Sequence, residues 1–221
     1  RDFLFLTNNS SHNADFYVKR LHGMGLDVPR EKILTSGEAT ADKLNQLYPG
    51  KRAFVLGNEY LIEEFTQMGV IVDQENPEIV VIGYDTTLDY KKMTRVCDLV
   101  RAGLPYIATH PDYNCPTSTG FIPDLGAMMA LIEASAFRRP ELIVGKPNTG
   151  IVEAALRRTG LKTGEMAMVG DRLYTDIETG LRSGMLSILV MSGETTEEML
   201  AKSETVPDLR FGRLADMIPL L

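Results

Sequence analysis

Short apolar runs that end in polar turns recur along the chain, and segments with helical spacing of apolar residues separate them. Phe3-Leu4-Phe5-Leu6 runs into Thr7-Asn8-Asn9-Ser10-Ser11. Ile33-Leu34-Thr35, Ala53-Phe54-Val55-Leu56, Val70-Ile71-Val72, Ile79-Val80-Val81-Ile82 and Tyr106-Ile107-Ala108-Thr109 are further extended pieces, as are Ile143-Val144, Met166-Ala167-Met168-Val169 and Ser187-Ile188-Leu189-Val190. Continuous rather than alternating runs suit strands buried on both faces of a parallel sheet. Helices are predicted after the Ser11 or Asn13 cap, carrying Phe16, Val18, Leu21 and Met24, and over 39–48, 61–68, 89–102, 126–136, 151–158 and 175–183. Gly25, Pro49-Gly50 and Gly160 stop three of them. Ser36-Gly37-Glu38 is expected as a turn with capping potential, and 110–124, with Pro111, Pro116, Gly120 and Pro123, as one long irregular stretch. Strands alternating with helices predict an α/β fold with parallel sheets.

A hydrophobic share of 44% and a charged share of 24% are ordinary for a globular chain with a substantial core. The formal net charge of -7, without a basic block, argues against a nucleic-acid surface. No apolar run reaches the roughly 18 residues of a membrane span, and nothing at the start resembles a signal peptide, so a cytoplasmic location is expected. Cys97 and Cys115 form no C-x-x-C and are expected as free thiols, in a helix and a loop. Met128 and Met129 read as core filler.

Candidate chemistry lies in the turns. Met166 to Val169 leads into Gly170-Asp171, and Leu173, Ile177 and Leu181 follow at helical spacing. Asp171 therefore stands at the C-terminal end of a strand, where ligands bind in open α/β sheets. With Asp176 it suits a hard cation such as Mg²⁺, although a carboxylate here can also simply cap the helix. Thr7-Asn8-Asn9-Ser10 and Gly145-Lys146-Pro147 are two other polar turns after strands, and Ser192-Gly193-Glu194-Thr195 is a polar turn near the end of the chain. If the strands before the first three turns share one sheet, a hydroxyl, amides, an ammonium and two carboxylates converge, a set that fits a phosphoryl group beside a divalent cation. No G-x-G-x-x-G follows a strand, which disfavours a dinucleotide site.

Leu6-Thr-Asn-Asn-Ser-Ser11, Ile33-Leu-Thr-Ser-Gly-Glu38, Gly145-Lys-Pro-Asn148 and Gly170-Asp-Arg-Leu-Tyr-Thr-Asp-Ile177 together resemble the haloacid dehalogenase (HAD) superfamily, in its NagD / p-nitrophenylphosphatase branch. The resemblance implies a Rossmann-like parallel-sheet core with an inserted α/β cap of the C2 type. The core would comprise 1–38 and 143–221 and the cap 39–142, with hinges at 36–38 and 143–145. It also implies a Mg²⁺-dependent phosphatase of small-molecule phosphomonoesters that works through an aspartyl-phosphate. Thr7 would hold phosphoryl oxygens, and Asn8 and Asn9 would orient the group or merely shape the turn. Lys146 would pair with nucleophile and phosphate, Asp171 would ligate Mg²⁺, and Asp176 would support it directly or through water. His110 and, more weakly, Asp112 and Tyr113 would face the leaving group from the cap, and such caps can pair into homodimers.

One departure stands out. The family's Asp-x-Asp nucleophile does not occur before Thr7. By family topology its strand lies at the centre of the core sheet, and without it buried strand edges lack partners, at about 1 to 3 kcal/mol per unmade bond. The expectation is an upstream strand and helix of about 30 residues. The alternative is a catalytically inactive protein that keeps the phosphate and Mg²⁺ cradle.

Overall fold

A computed structural model describes residues 2–220 and divides the chain into two compact units, Phe3–Gly145 and a second that runs from Lys146 onward and includes Asp2. Residues 1 and 221 of the expected core segments lie outside the described residues.

In the first unit, β1 (Phe5–Thr7) is followed by α1 (Ala14–Gly23), β2 (Ile33–Thr35), α2 (Ser36–Leu47), β3 (Arg52–Leu56), α3 (Glu59–Gln67), β4 (Ile71–Val72) and β5 (Ile79–Ile82). Then come α4 (Tyr90–Arg101), β6 (Tyr106–Ala108), β7 (Asn114–Thr117), β8 (Gly120–Pro123), α5 (Leu125–Ala136) and β9 (Leu142–Ile143). A five-stranded parallel sheet in the order β4-β3-β5-β6-β9 carries the main core. All of β5 is buried, which accounts for its unbroken Ile-Val-Val-Ile run. Val80 and Ile82 of β5 and Tyr106 cluster with Val96 and Val100 of α4 and Leu125 and Ile132 of α5. β1 and β2 form a separate parallel pair.

Side-chain caps set the helix starts. Asn13 accepts from the Phe16 N–H at 3.0 Å and opens α1, and Asn58 does the same for α3. Thr35 accepts from the Glu38 N–H at 2.9 Å, so Ser36-Gly37-Glu38 is the buried first turn of α2 rather than a free turn. The stretch 110–124 is also more ordered than its prolines suggest, because β7 and β8 pair as an antiparallel hairpin within it. Neither cysteine is in a disulfide; Cys97 is buried in α4, and Cys115 is partly exposed in β7 rather than in a loop.

In the second unit, α6 (Gly150–Thr159), β10 (Ala167–Gly170), a π-helical turn (Leu173–Ile177), α7 (Glu178–Ser183), β11 (Leu186–Val190), α8 (Glu197–Lys202) and β12 (Leu209–Phe211) follow in order. The helix expected over 175–183 is therefore a π turn followed by α7, with the Ile177 N–H bonded five residues back to Arg172 O at 3.1 Å. The parallel sheet runs β10-β11-β12. β1, β9 and β10, which precede the three polar turns, thus hydrogen-bond into three different sheets instead of one. No helix among the described residues is long and apolar enough to cross a membrane.

Candidate active site

In the second unit, β10 ends at Gly170 and delivers Asp171 at its C-terminal edge. The loop after β11 then folds over this carboxylate. The Glu194 N–H donates to Asp171 Oδ2 at 2.7 Å, and the Thr195 hydroxyl donates to the Asp171 carbonyl at 2.5 Å. A Cβ at Gly193 would lie 2.0 Å from Asp171 Oδ2, so only glycine lets the backbone approach this closely. Glu194 is itself fixed by Arg172 (Nε to Oε2, 2.7 Å) and by the Tyr174 hydroxyl.

The π turn brings Asp176 back toward the strand end. A Cβ at Gly170 would sit 2.3 Å from the Asp176 Cβ. Lys146 Nζ donates to Asp176 Oδ1 at 2.6 Å, with the two side chains 12% and 8% exposed. The Arg172 N–H donates to Asp176 Oδ2 at 3.2 Å. Both oxygens of Asp176 are thus engaged, whereas Asp171 is anchored through Oδ2. These carboxylates, held by backbone N–H groups and offering oxygen alone, fit a hard divalent cation.

In the first unit, Thr7 closes β1 and its hydroxyl oxygen accepts from the Asn9 N–H at 3.2 Å. Asn9 Oδ1 accepts from the Ser11 N–H at 2.9 Å and from its hydroxyl at 2.8 Å, so this side chain builds the turn. Asn8 is buried, and its amide donates to both oxygens of Asp112, at 3.3 and 3.1 Å. Ser10 ties the same turn to the ends of β5 and β6, accepting from the Tyr84 N–H at 2.8 Å and lying 3.0 Å from the Thr109 hydroxyl.

His110 closely follows β6 and is fully buried. Its Nδ1 lies 3.6 Å from Asp112 Oδ2 and its Nε2 lies 3.6 Å from Asp124 Oδ1. Burial pulls the imidazole pKa well below its ordinary value. Tyr113, by contrast, is exposed. The structure therefore brings Lys146 to Asp176 in one unit and Asn8 to Asp112 and His110 in the other.

Two family models match, one of haloacid dehalogenase-like hydrolases over residues 1–71 and one of HAD-hydrolase-like proteins over 143–217. An acid sugar phosphatase from Staphylococcus aureus is 35% identical over 97% of this chain and 83% of its own length. The chain belongs to the haloacid dehalogenase-like hydrolases. Within that family it sits in the NagD / p-nitrophenylphosphatase branch. The 4-nitrophenylphosphatase of Thermotoga maritima matches with a TM-score of 0.95 at 47% identity, covering 98% of this chain and 83% of that one. NagD from E. coli K-12 matches with a TM-score of 0.88 at 34% identity, covering 97% and 84%. The mixed α/β architecture, with parallel sheets and a cap, is that of this HAD branch.

The motif residues of the family are readable from the chain, whereas no motif singles out Gly193, Glu194 or Asp124. Ser192-Gly193-Glu194-Thr195 stands out only as a polar turn after a strand. That position, one strand over from Asp171, is the available signal, since loops at neighbouring strand ends share an edge.

Proposed function

We propose that this chain is the larger part of a Mg²⁺-dependent phosphomonoesterase acting on small phosphate esters of the sugar-phosphate or aryl-phosphate kind. The observation that carries the proposal is the Lys146–Asp176 ion pair beside the Asp171 turn, in a chain of this family. Asp171 would hold Mg²⁺, with Asp176 supporting. When bound, Mg²⁺ would supply charge neutralisation at the phosphoryl group.

The chain's own residues would do the rest. Thr7 would donate its hydroxyl to a phosphoryl oxygen, with Asn8 and the Asn9 turn orienting the group. Lys146, restrained by Asp176, would place a positive charge against the nucleophile and the phosphate. Residues 39–142 would act as the cap that excludes water, with Asp112 on its side of the site. The nucleophile would be an aspartate on a further strand.

The decisive experiment pairs intact mass with phosphate release. A protein about 3 to 4 kDa heavier than these 221 residues, the weight of one strand and helix, should hydrolyse p-nitrophenyl phosphate and sugar phosphates with Mg²⁺ and stop with chelator. Its Asp171→Asn variant should lose that release. Undiminished turnover in the variant overturns the assignment. A protein of 221 residues that binds phosphate without turnover would instead be the inactive cradle.

A further inference from the structure

Away from the Asp171 turn, one group of metal-ligating side chains gathers among the described residues: His110, Asp112 and Asp124. One ligand atom from each lies within 4.8 Å of the other two. The imidazole is fully buried, and the carboxylate side chains are 10% and 6% exposed. Both ring nitrogens lack a hydrogen-bond partner, although each faces a carboxylate oxygen at 3.6 Å.

That distance is informative. It exceeds the 2.7 to 3.2 Å or so of an N–H···O bond. It is close to the separation between neighbouring ligands of one ion, since bonds of about 2.1 Å in a tetrahedron set ligand atoms about 3.4 Å apart. A buried imidazole left unsatisfied on both sides is rare in a native fold, and a cation bound to one ring nitrogen and the carboxylates would satisfy that side.

We propose that His110, Asp112 and Asp124 form a binding site for a divalent transition-metal ion of the Zn²⁺, Co²⁺ or Mn²⁺ class. The nitrogen ligand argues for this class over Mg²⁺ or Ca²⁺, which take oxygen alone. One ring nitrogen takes the ion while the other faces a carboxylate oxygen at 3.6 Å. The role is structural. His110 follows β6, Asp112 precedes the β7–β8 hairpin, and Asp124 follows the hairpin and caps α5, so a single ion ties both roots of the hairpin to the sheet. Because Asp112 also accepts the Asn8 amide, the ion would steady the carboxylate on which the turn after β1 rests.

Co²⁺ is the probe, titrated into the purified full-length protein in excess Mg²⁺ so that oxygen-only sites stay filled with Mg²⁺. One equivalent of Co²⁺ per chain should bind and give a visible d–d absorption. His110→Asn should lower its affinity at least tenfold and abolish the absorption. Zn²⁺ should raise the melting temperature of the wild type but not of the variant. Should His110→Asn depart from the wild-type circular dichroism, Asp124→Asn gives the same readouts. Co²⁺ uptake that Mg²⁺ competes away, or equal affinity in the wild type and a folded variant, overturns the proposal.

Discussion

The two units treat a buried carboxyl group in opposite ways. In the unit after Lys146, Asp176 is matched by an ammonium at 2.6 Å and a backbone N–H at 3.2 Å. In the Phe3–Gly145 unit, Glu64 is just as buried, but besides the Ala14 N–H and the Thr35 hydroxyl at 2.8 Å it has the carboxylate of Glu38 nearby and, among the described residues, no cation of its own at ion-pair distance. Arg30 meets Glu38, at 2.7 Å, and not Glu64. The first arrangement matches a carboxylate with a cation beside the Asp171 turn, and the second, by burial and a neighbouring carboxylate, pushes an acid's pKa up between two helices. Burial alone thus does not set how a buried carboxylate is held; the sign of its neighbours decides with it.

Removing the cation from Asp176 should have the largest effect. Lys146→Met keeps the aliphatic stem but strands the buried carboxylate, and breaking such a pair costs about 3 to 5 kcal/mol. Urea unfolding should show that loss, and adding Asp176→Asn should restore much of the stability while phosphate release stays abolished. Full stability in Lys146→Met alone would mean that the pair is not buried as described.

Gly193→Ala tests the same unit without touching a charge. The new Cβ would fall 2.0 Å from Asp171 Oδ2, so the loop or the carboxylate must move by about an ångström. A displacement of that size near reacting groups costs on the order of a hundredfold in kcat. Phosphate-release kinetics should show it with little change in melting temperature. Unchanged kcat would mean that the 192–195 loop does not position Asp171.

How much of this is legible in the sequence follows from where each contact comes from. A run of apolar residues is a local pattern, so Ile79–Ile82 and the strand before Gly170-Asp171 read correctly as strands. Lys146, Asp171 and Asp176 are visible because short motif spacing carries them. The turn expected at Ser36 is instead helix because Thr35, the last strand residue, is the cap. Pro116 and Pro123 hide the hairpin over 114–123, since sequence rules place proline outside strands. The Glu194 N–H on Asp171 is a backbone donor, invisible to any residue pattern. The cluster at His110 joins Asn8 to Asp112 across 104 positions, and hydropathy along the chain carries no record of such a neighbour.

Glu64 offers the most graded test of the contrast. Desolvation first, and then the Glu38 charge, push its pKa from 4.5 up to about 8, against a weaker opposing contribution from Thr35. Between those values the folded chain holds a proton that the unfolded chain has released. The unfolded state therefore binds fewer protons, and stability falls as pH rises through this window, by at most about 1.4 kcal/mol per pH unit. Below the window the wild type carries no penalty, and above it the penalty is constant. Glu64→Gln keeps the shape and an acceptor for Thr35 but cannot ionise, so its stability relative to the wild type should climb between pH 5 and pH 8. Urea unfolding at both pH values measures the difference directly. A gap that does not change with pH would mean that Glu64 is ionised in the fold, held by Arg30 as Asp176 is held by Lys146, and the contrast between the two units would vanish.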